Sequence, residues 1–435
     1  MSAPLSTFGV NRPTPNSELM MEGVTLTAIA ARFGTPCFAY SKAALTTAFQ
    51  RLDAALAAAR KSRPYLICYA VKANSNLAVL RLFASLGAGF DIVSGGELQR
   101  VLLAGGDPRK VVFSGLGKTA AEMKMALQSD IKCFNIESEA ELTRLQSVAQ
   151  ALGVRARISL RVNPDVDAKT HPYISTGLKN NKFGIAFDRA LDVYRHAATL
   201  ANIDIVGVDC HIGSQLTDDA PLQEAMARIV WLSDALAREG IKVHHICPGG
   251  GIGITYNDES TIDLDRYAAA LEKNLLGRDV ELLLEPGRVL VGNAGVLLST
   301  VEFVKPTAAK NFLIIDAAMN DLIRPSLYQA HHEVVMVPAP RQGDVSATYD
   351  VVGPVCESAD VLAHGRELTA REGDIVALLS AGAYAFVMSS NYNTRNRAAE
   401  VMVDGDQIEL IRKRETFEDL MRAELIGPAA QNGKS

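Results

Sequence analysis

The chain has 435 residues, 48% hydrophobic and 21% charged, with a net charge of −5 and a pI near 6.0. That length exceeds one average domain, and the composition is that of a globular protein. The slight negative charge offers no basic footprint for nucleic acid. Cysteines at 37, 68, 133, 210, 247 and 356, with no CxxC pair, make neither a disulfide framework nor a zinc site.

Met1 to Ser17 lacks the basic and then apolar pattern of a leader, and the longest apolar run, Ile375 to Met388, is interrupted by Ser380 and Gly382. A cytoplasmic enzyme with no membrane partner is expected. Residues 1–24 read as an irregular arm. Thr25 to Phe33 has helical spacing and stops at Gly34, Pro36 to Tyr40 reads as a strand, and an Ala-rich helix runs from Lys42 to Arg60.

Short apolar runs then alternate with helical ones. The predicted strands are Leu66–Val71, Phe90–Val93, Val111–Phe113, Cys133–Ile136, Ile158–Val162, Ile205–Cys210, Val243–Cys247 and Glu281–Leu284. Near-continuous apolar strands separated by helices argue for parallel strands buried on both faces. Eight such units predict an α/β fold, a TIM-like (β/α)8 barrel spanning residues 42–291. An open doubly wound sheet is the alternative, but no GxGxxG follows the first strand.

From residue 292 to 435 the segments are rich in β-branched residues and separated by turns, which predicts an all-β C-terminal domain. Six strands are predicted there, near 296–304, 311–316, 334–338, 347–352, 374–379 and 400–404. The strand near Phe38, within an N-terminal arm of residues 1–41, is expected to join that domain.

The polar residues collect where a barrel enzyme needs them, just past the strand ends. Lys72 follows the first strand and Asp91 ends the second; Arg161 and Asn163 close the fifth. His211 follows the sixth, with Ser214 beyond it; Gly249-Gly250-Gly251 follows the seventh, and Glu285-Pro286-Gly287-Arg288 the eighth. An ammonium at the end of a buried strand is costly unless it is paired or its pKa is lowered, and a lysine with a lowered pKa attacks aldehydes. Glycines after the seventh strand allow backbone N–H groups to approach an anion. A lysine for an aldehyde, an anion cradle, and a carboxylate for a ring nitrogen together point to pyridoxal 5′-phosphate (PLP).

Tyr69 to Asn74 (YAVKAN), His211 to Ser214 (HIGS), the three glycines, Glu285 to Arg288 (EPGR), Cys356-Glu357-Ser358 and Ala381 to Tyr384 (AGAY) resemble the fold-type III PLP decarboxylases, which have an alanine racemase-like architecture. His171 to Gly177, Lys182 to Gly184 and Met319 to Tyr328 resemble their diaminopimelate decarboxylase branch. Cys247-Pro248, Asn180-Asn181 and Ala317-Ala318 depart from that branch's usual pattern.

The resemblance implies decarboxylation of meso-2,6-diaminopimelate to L-lysine, the final step of lysine biosynthesis. By it, Lys72 holds PLP, His211 stacks on the ring, Glu285 meets the ring nitrogen, and Ser214, Gly249, Gly250, Gly251, Pro286, Gly287 and Arg288 surround the phosphate, with Tyr384 reaching in from the β domain. It also implies a homodimer with shared sites, in which Cys356 serves the partner's site as proton donor. Arg324, Arg288, Tyr328, Glu357 and Tyr384 would bind substrate, Arg324 through the distal carboxylate. The alternative is a decarboxylase of another basic amino acid: ornithine, arginine or carboxynorspermidine.

Overall fold

The computed structural model describes residues 4–167 and 182–426; His171 to Gly177 and Asn180-Asn181 lie outside the described residues. Strand β1 (Cys37–Ser41) leads through Ser41 directly into helix α1 (Lys42–Arg60). The Ser41 hydroxyl accepts from the Ala44 N–H at 2.9 Å, so the residue that ends the strand also caps the helix.

Eight strands follow: β2 (Tyr65–Ala70), β3 (Gly89–Ile92), β4 (Val111–Phe113), β5 (Cys133–Ile136), β6 (Ala156–Asn163), β7 (Ile203–Asp209), β8 (His245–Cys247) and β9 (Glu281–Leu284). Each pairs in parallel with the next, and β9 returns to β2, so the sheet closes into a barrel. Helices cover its outside. Ser94, Thr119 and Ser138 each cap the helix that follows them by accepting from the N–H three residues on, which sets where the loops above the strands end. Strands β4, β5 and β9 coincide with the predicted runs, and the other five differ by one or two residues at their ends. Val243 and His244 fall outside β8.

The second sheet is mostly antiparallel. It comprises β10 (Gly295–Pro306), β11 (Asn311–Ile315), β12 (Val334–Met336), β13 (Ala347–Val352), β14 (Val361–Leu368), β15 (Ile375–Leu378), β16 (Ala399–Asp404) and β17 (Gln407–Arg412). The order along the sheet is β14-β13-β11-β10-β1-β16-β17, with β15 bridging β10 and β12. β14 and β17 are absent from the sequence reading. The N-terminal residues are also more than an irregular arm: Phe8, Val10, Leu19 and Met21 are buried in a core cluster with Val296, Leu298 and Val401, and Met20–Met21 pairs with Val24–Thr25. Among the described residues no helix is long and apolar enough to cross a membrane.

Candidate active site

A cavity of about 340 Å³ opens at the C-terminal end of the barrel strands. The barrel contributes Lys72, His211, Ser214 and Arg288 to its wall, and the second sheet's connections contribute Arg324, Tyr328 and Tyr384.

Lys72 sits in a single helical turn, Val71–Ala73, immediately after β2. Its ammonium donates to Asp91 Oδ2 at 2.8 Å, and Asp91, on β3, is fully buried. Burial pushes the lysine's pKa down, but Asp91, Tyr384 and Glu285 raise it above the ordinary lysine value. Of the two alternatives, pairing and a lowered pKa, the structure shows pairing: Lys72 in this state is a paired cation.

Glu285 follows β9 and is 6% exposed. Its Oε1 accepts from Asn135 Nδ2 at 3.0 Å, and the same amide nitrogen donates to Ser114 Oγ at 3.0 Å. Burial, then the neighbouring Asp209 and Asp91, hold the Glu285 carboxyl well above the usual range, against the pull of Lys72 and Arg161. Among the buried carboxylate oxygens, Asp91 Oδ1 and Asp209 Oδ1 have no hydrogen-bond partner. Behind the cavity wall, beside Lys72, thus lies a crowded group of buried acids suited to a cationic ring nitrogen. A metal is a poorer reading of Asp209, Cys247 and Glu285, because burial raises the pKa of all three and so opposes the deprotonated forms that a metal needs.

His211 Nδ1 accepts from the Gly250 N–H at 3.3 Å, which puts its ring proton on Nε2. Burial, with Arg161 and Lys72 nearby, pushes its pKa well below the usual value, so the ring is neutral. The glycine run brings the loop after β8 against its neighbours. A Cβ on Gly250 would lie 2.0 Å from the Glu285 carbonyl oxygen, and Gly251, at φ +98°, would place one 2.4 Å from Gly213 O. These glycines, Gly249 included, stand behind the cavity wall rather than in it. Pro286 O accepts from the Ala70 N–H at 3.0 Å, and a Cβ on Gly287 would meet Ala73 Cβ at 3.1 Å, so the turn before Arg288 is pressed onto the end of β2.

Arg288 donates to Ser214 Oγ at 3.1 Å and to the Tyr256 hydroxyl, and its guanidinium lies 4.8 Å from the Tyr384 ring centroid. Tyr384 itself has φ +55°, and its N–H donates to Ala73 O at 2.8 Å, so the second sheet is stitched to the Lys72 turn. Arg324 and Tyr328 open and close the short helix α2 (Arg324–Tyr328). Arg324 is 6% exposed and donates to His332 Nε2 at 2.7 Å.

Cys356 and Glu357 are not brought to this chain's own cavity. They lie exposed on the connection between β13 and β14, where the Cys356 N–H donates to Asn393 Oδ1 at 2.8 Å and the Tyr392 hydroxyl donates to Glu357 Oε2 at 3.3 Å. Contributors that escaped the sequence reading include Asn135, Tyr256 and His332, with Glu259 and His331 also in the cavity wall. Asn135 carried a signal, a polar residue within the apolar strand CFNI; Tyr256 lies in an irregular loop and carried none.

The family profile described as pyridoxal-dependent decarboxylase, pyridoxal binding domain, matches residues 43–292, and that of the C-terminal sheet domain matches residues 230–382. A diaminopimelate decarboxylase of Vibrio cholerae is 57% identical over 414 residues, covering 95% of this chain and 98% of the relative. One from Pseudomonas aeruginosa is 56% identical over 413 residues, covering 95% and 98%. The diaminopimelate decarboxylase of Helicobacter pylori, solved with L-lysine, superposes with a TM-score of 0.87 at 44% identity, covering 91% of this chain and 98% of that one. The chain belongs to the pyridoxal-dependent decarboxylases, in the diaminopimelate decarboxylase family.

Proposed function

We infer that this chain decarboxylates meso-2,6-diaminopimelate to L-lysine and CO2, the final step of lysine biosynthesis, with PLP as cofactor. The observation that carries the substrate assignment is a pair of buried arginines, Arg288 and Arg324, in the wall of one cavity; neither forms an ion pair among the described residues. A substrate ending in a bare ammonium, such as ornithine, would bring a third positive charge to them. A distal carboxylate supplies the missing counter-charge and can be gripped by two N–H groups at once.

The residues present fit the cofactor. Lys72 is the amine for its aldehyde, and the buried acids around Glu285 suit its ring nitrogen. The neutral His211 offers a ring face. Ser214, the Gly249–Gly251 run, the Pro286-Gly287 turn and Arg288 would surround its phosphate, with Tyr384 closing the side. When bound, PLP supplies a sink for the electron pair left on Cα as CO2 departs.

The protein groups do the rest. Asn135 orients Glu285 so that its carboxylate can face a positive ring nitrogen, and Asp91 fixes the Lys72 amine. Arg324 and Tyr328 hold the distal end of the substrate. A proton must then reach Cα, and Cys356 delivers it from the partner subunit of a cytoplasmic homodimer, where Glu357 meets the distal ammonium. The exposed position of both residues, away from their own cavity, supports this sharing.

The test is CO2 release and product identity with purified protein, PLP, and either meso-diaminopimelate or ornithine, repeated with Arg324→Ala. Lysine from diaminopimelate alone, with kcat/KM lowered at least about 100-fold by Arg324→Ala, is expected from the loss of a doubly hydrogen-bonded charge pair. Turnover of ornithine, arginine or carboxynorspermidine with Arg324→Ala unchanged would refute the assignment of the distal pocket.

A further inference from the structure

We propose that His332 is a positioning residue for substrate discrimination: it anchors Arg324 through a neutral ring nitrogen, so the guanidinium is fixed in place while its positive charge stays available to the ligand. The proposal rests on the reading of Arg324 as the group that binds the distal carboxylate.

His332 is fully buried, at 0% exposure. Its Nδ1 lies 2.8 Å from the carbonyl oxygen of Leu379, a group that can only accept, so Nδ1 carries a proton. Its Nε2 lies 2.7 Å from a terminal nitrogen of Arg324, a group that can only donate, so Nε2 presents its lone pair. One protonation state satisfies both neighbours, the neutral Nδ1–H tautomer. An imidazolium would set a second N–H against the arginine. The protein also disfavours that form, through burial and then the charge of Arg324 itself.

The remaining support of Arg324 is equally free of negative charge. Its guanidinium lies 4.8 Å from the centroid of the Tyr256 ring. Tyr256 meets the edge of His332 at 5.6 Å and 79°, and its hydroxyl accepts from Arg288. One phenol thus lies against both arginines. Most buried arginines are held by carboxylates, which would cancel the charge a distal carboxylate needs. An imidazole lone pair and a ring face hold the geometry without doing so.

The test compares two ligands of the PLP holoenzyme that differ by one carboxylate. L-lysine, the product, keeps the distal amino-acid group; 1,5-diaminopentane lacks its carboxylate. Dissociation constants come from titrating the cofactor's absorption and from competitive inhibition. Wild type is expected to bind lysine at least about tenfold more tightly than diaminopentane. His332→Leu, with the anchor gone, should lose about tenfold of that ratio while diaminopentane affinity stays within about twofold. His332→Gln, whose side-chain oxygen can accept from Arg324, should keep the ratio. His332→Glu, which places a carboxylate on the arginine, should lose it, and serves where His332→Leu does not load cofactor. An unchanged ratio in the Leu or Glu variant, or a parallel loss of both ligands, overturns the proposal, as does a Gln variant no better than Leu. Equal binding of the two ligands by wild type overturns the reading of Arg324 itself, and the proposal with it.

Discussion

Replacing Asp91 by asparagine removes the carboxylate 2.8 Å from the Lys72 ammonium at nearly constant volume. Burial alone depresses the lysine's pKa, and Asp91 is the foremost of the groups that reverse it. An opposite charge at this range moves a pKa by about 1–3 units. The Lys72 side chain is 37% exposed, so screening by solvent favours the lower part of that range, about one to two units. Only a neutral amine attacks an aldehyde, and well below the pKa its fraction rises tenfold for each unit the pKa falls. Apo Asp91→Asn is therefore expected to load PLP about 10- to 100-fold faster than wild-type apoprotein at pH 7.5. Stopped-flow absorbance of the visible cofactor band at that pH reads the rate. A rate that is unchanged, or slower, would refute the claim that Asp91 holds the ammonium.

Asp321 is 1% exposed, and burial raises its carboxyl to about 7, above the roughly 3.9 of an unfolded aspartate. The native state thus holds its proton longer than the unfolded state, and stability falls as pH rises from about 4 to 7. Asp321→Asn should therefore gain on wild type in thermal melts between pH 5 and 8, by at most about 2.5 kcal/mol, and an equal difference at both pH values would contradict it. Gly250→Ala would press a Cβ to 2.0 Å from a carbonyl oxygen; it should lower Tm and cofactor content, and normal values for both would show that the loop gives way. Mixing Lys72→Ala with Cys356→Ala subunits should restore part of the activity, because one site in each mixed dimer regains both groups; no recovery in verified mixed dimers would sink the shared-site proposal.

The barrel is legible because its strands are buried on both faces and so read as unbroken apolar runs, and because hydroxyl caps mark where the helices begin. The same logic hides β14 and β17. Each lies at an end of the second sheet, with the polar run His364 to Glu367 interrupting one and no buried residue in the other, which carries Glu409 and Arg412, so neither shows the apolar pattern of a strand. Lys72, His211, Glu285 and Arg288 stand out as polar residues at strand ends. Tyr256 and His332 act by touching other side chains, a relation with no sequence spacing. The protonation of Lys72 was beyond reach for a related reason: it depends on the 2.8 Å approach of Asp91 from a neighbouring strand.

Strand β1 carries a consequence for how the chain is made. Its five residues are all buried, and it lies between β10 on one edge and β16 on the other. Both partners are synthesised only after the whole barrel. During translation this early apolar strand has no sheet to enter, and both its hydrogen-bonding edges are open. It gains one neighbour at Gly295 and the second only at Ala399. A nascent chain halted between those points carries a half-covered adhesive edge next to a barrel that could already have closed. Premature termination there should produce aggregates rather than a stable barrel, with β1 as the seed.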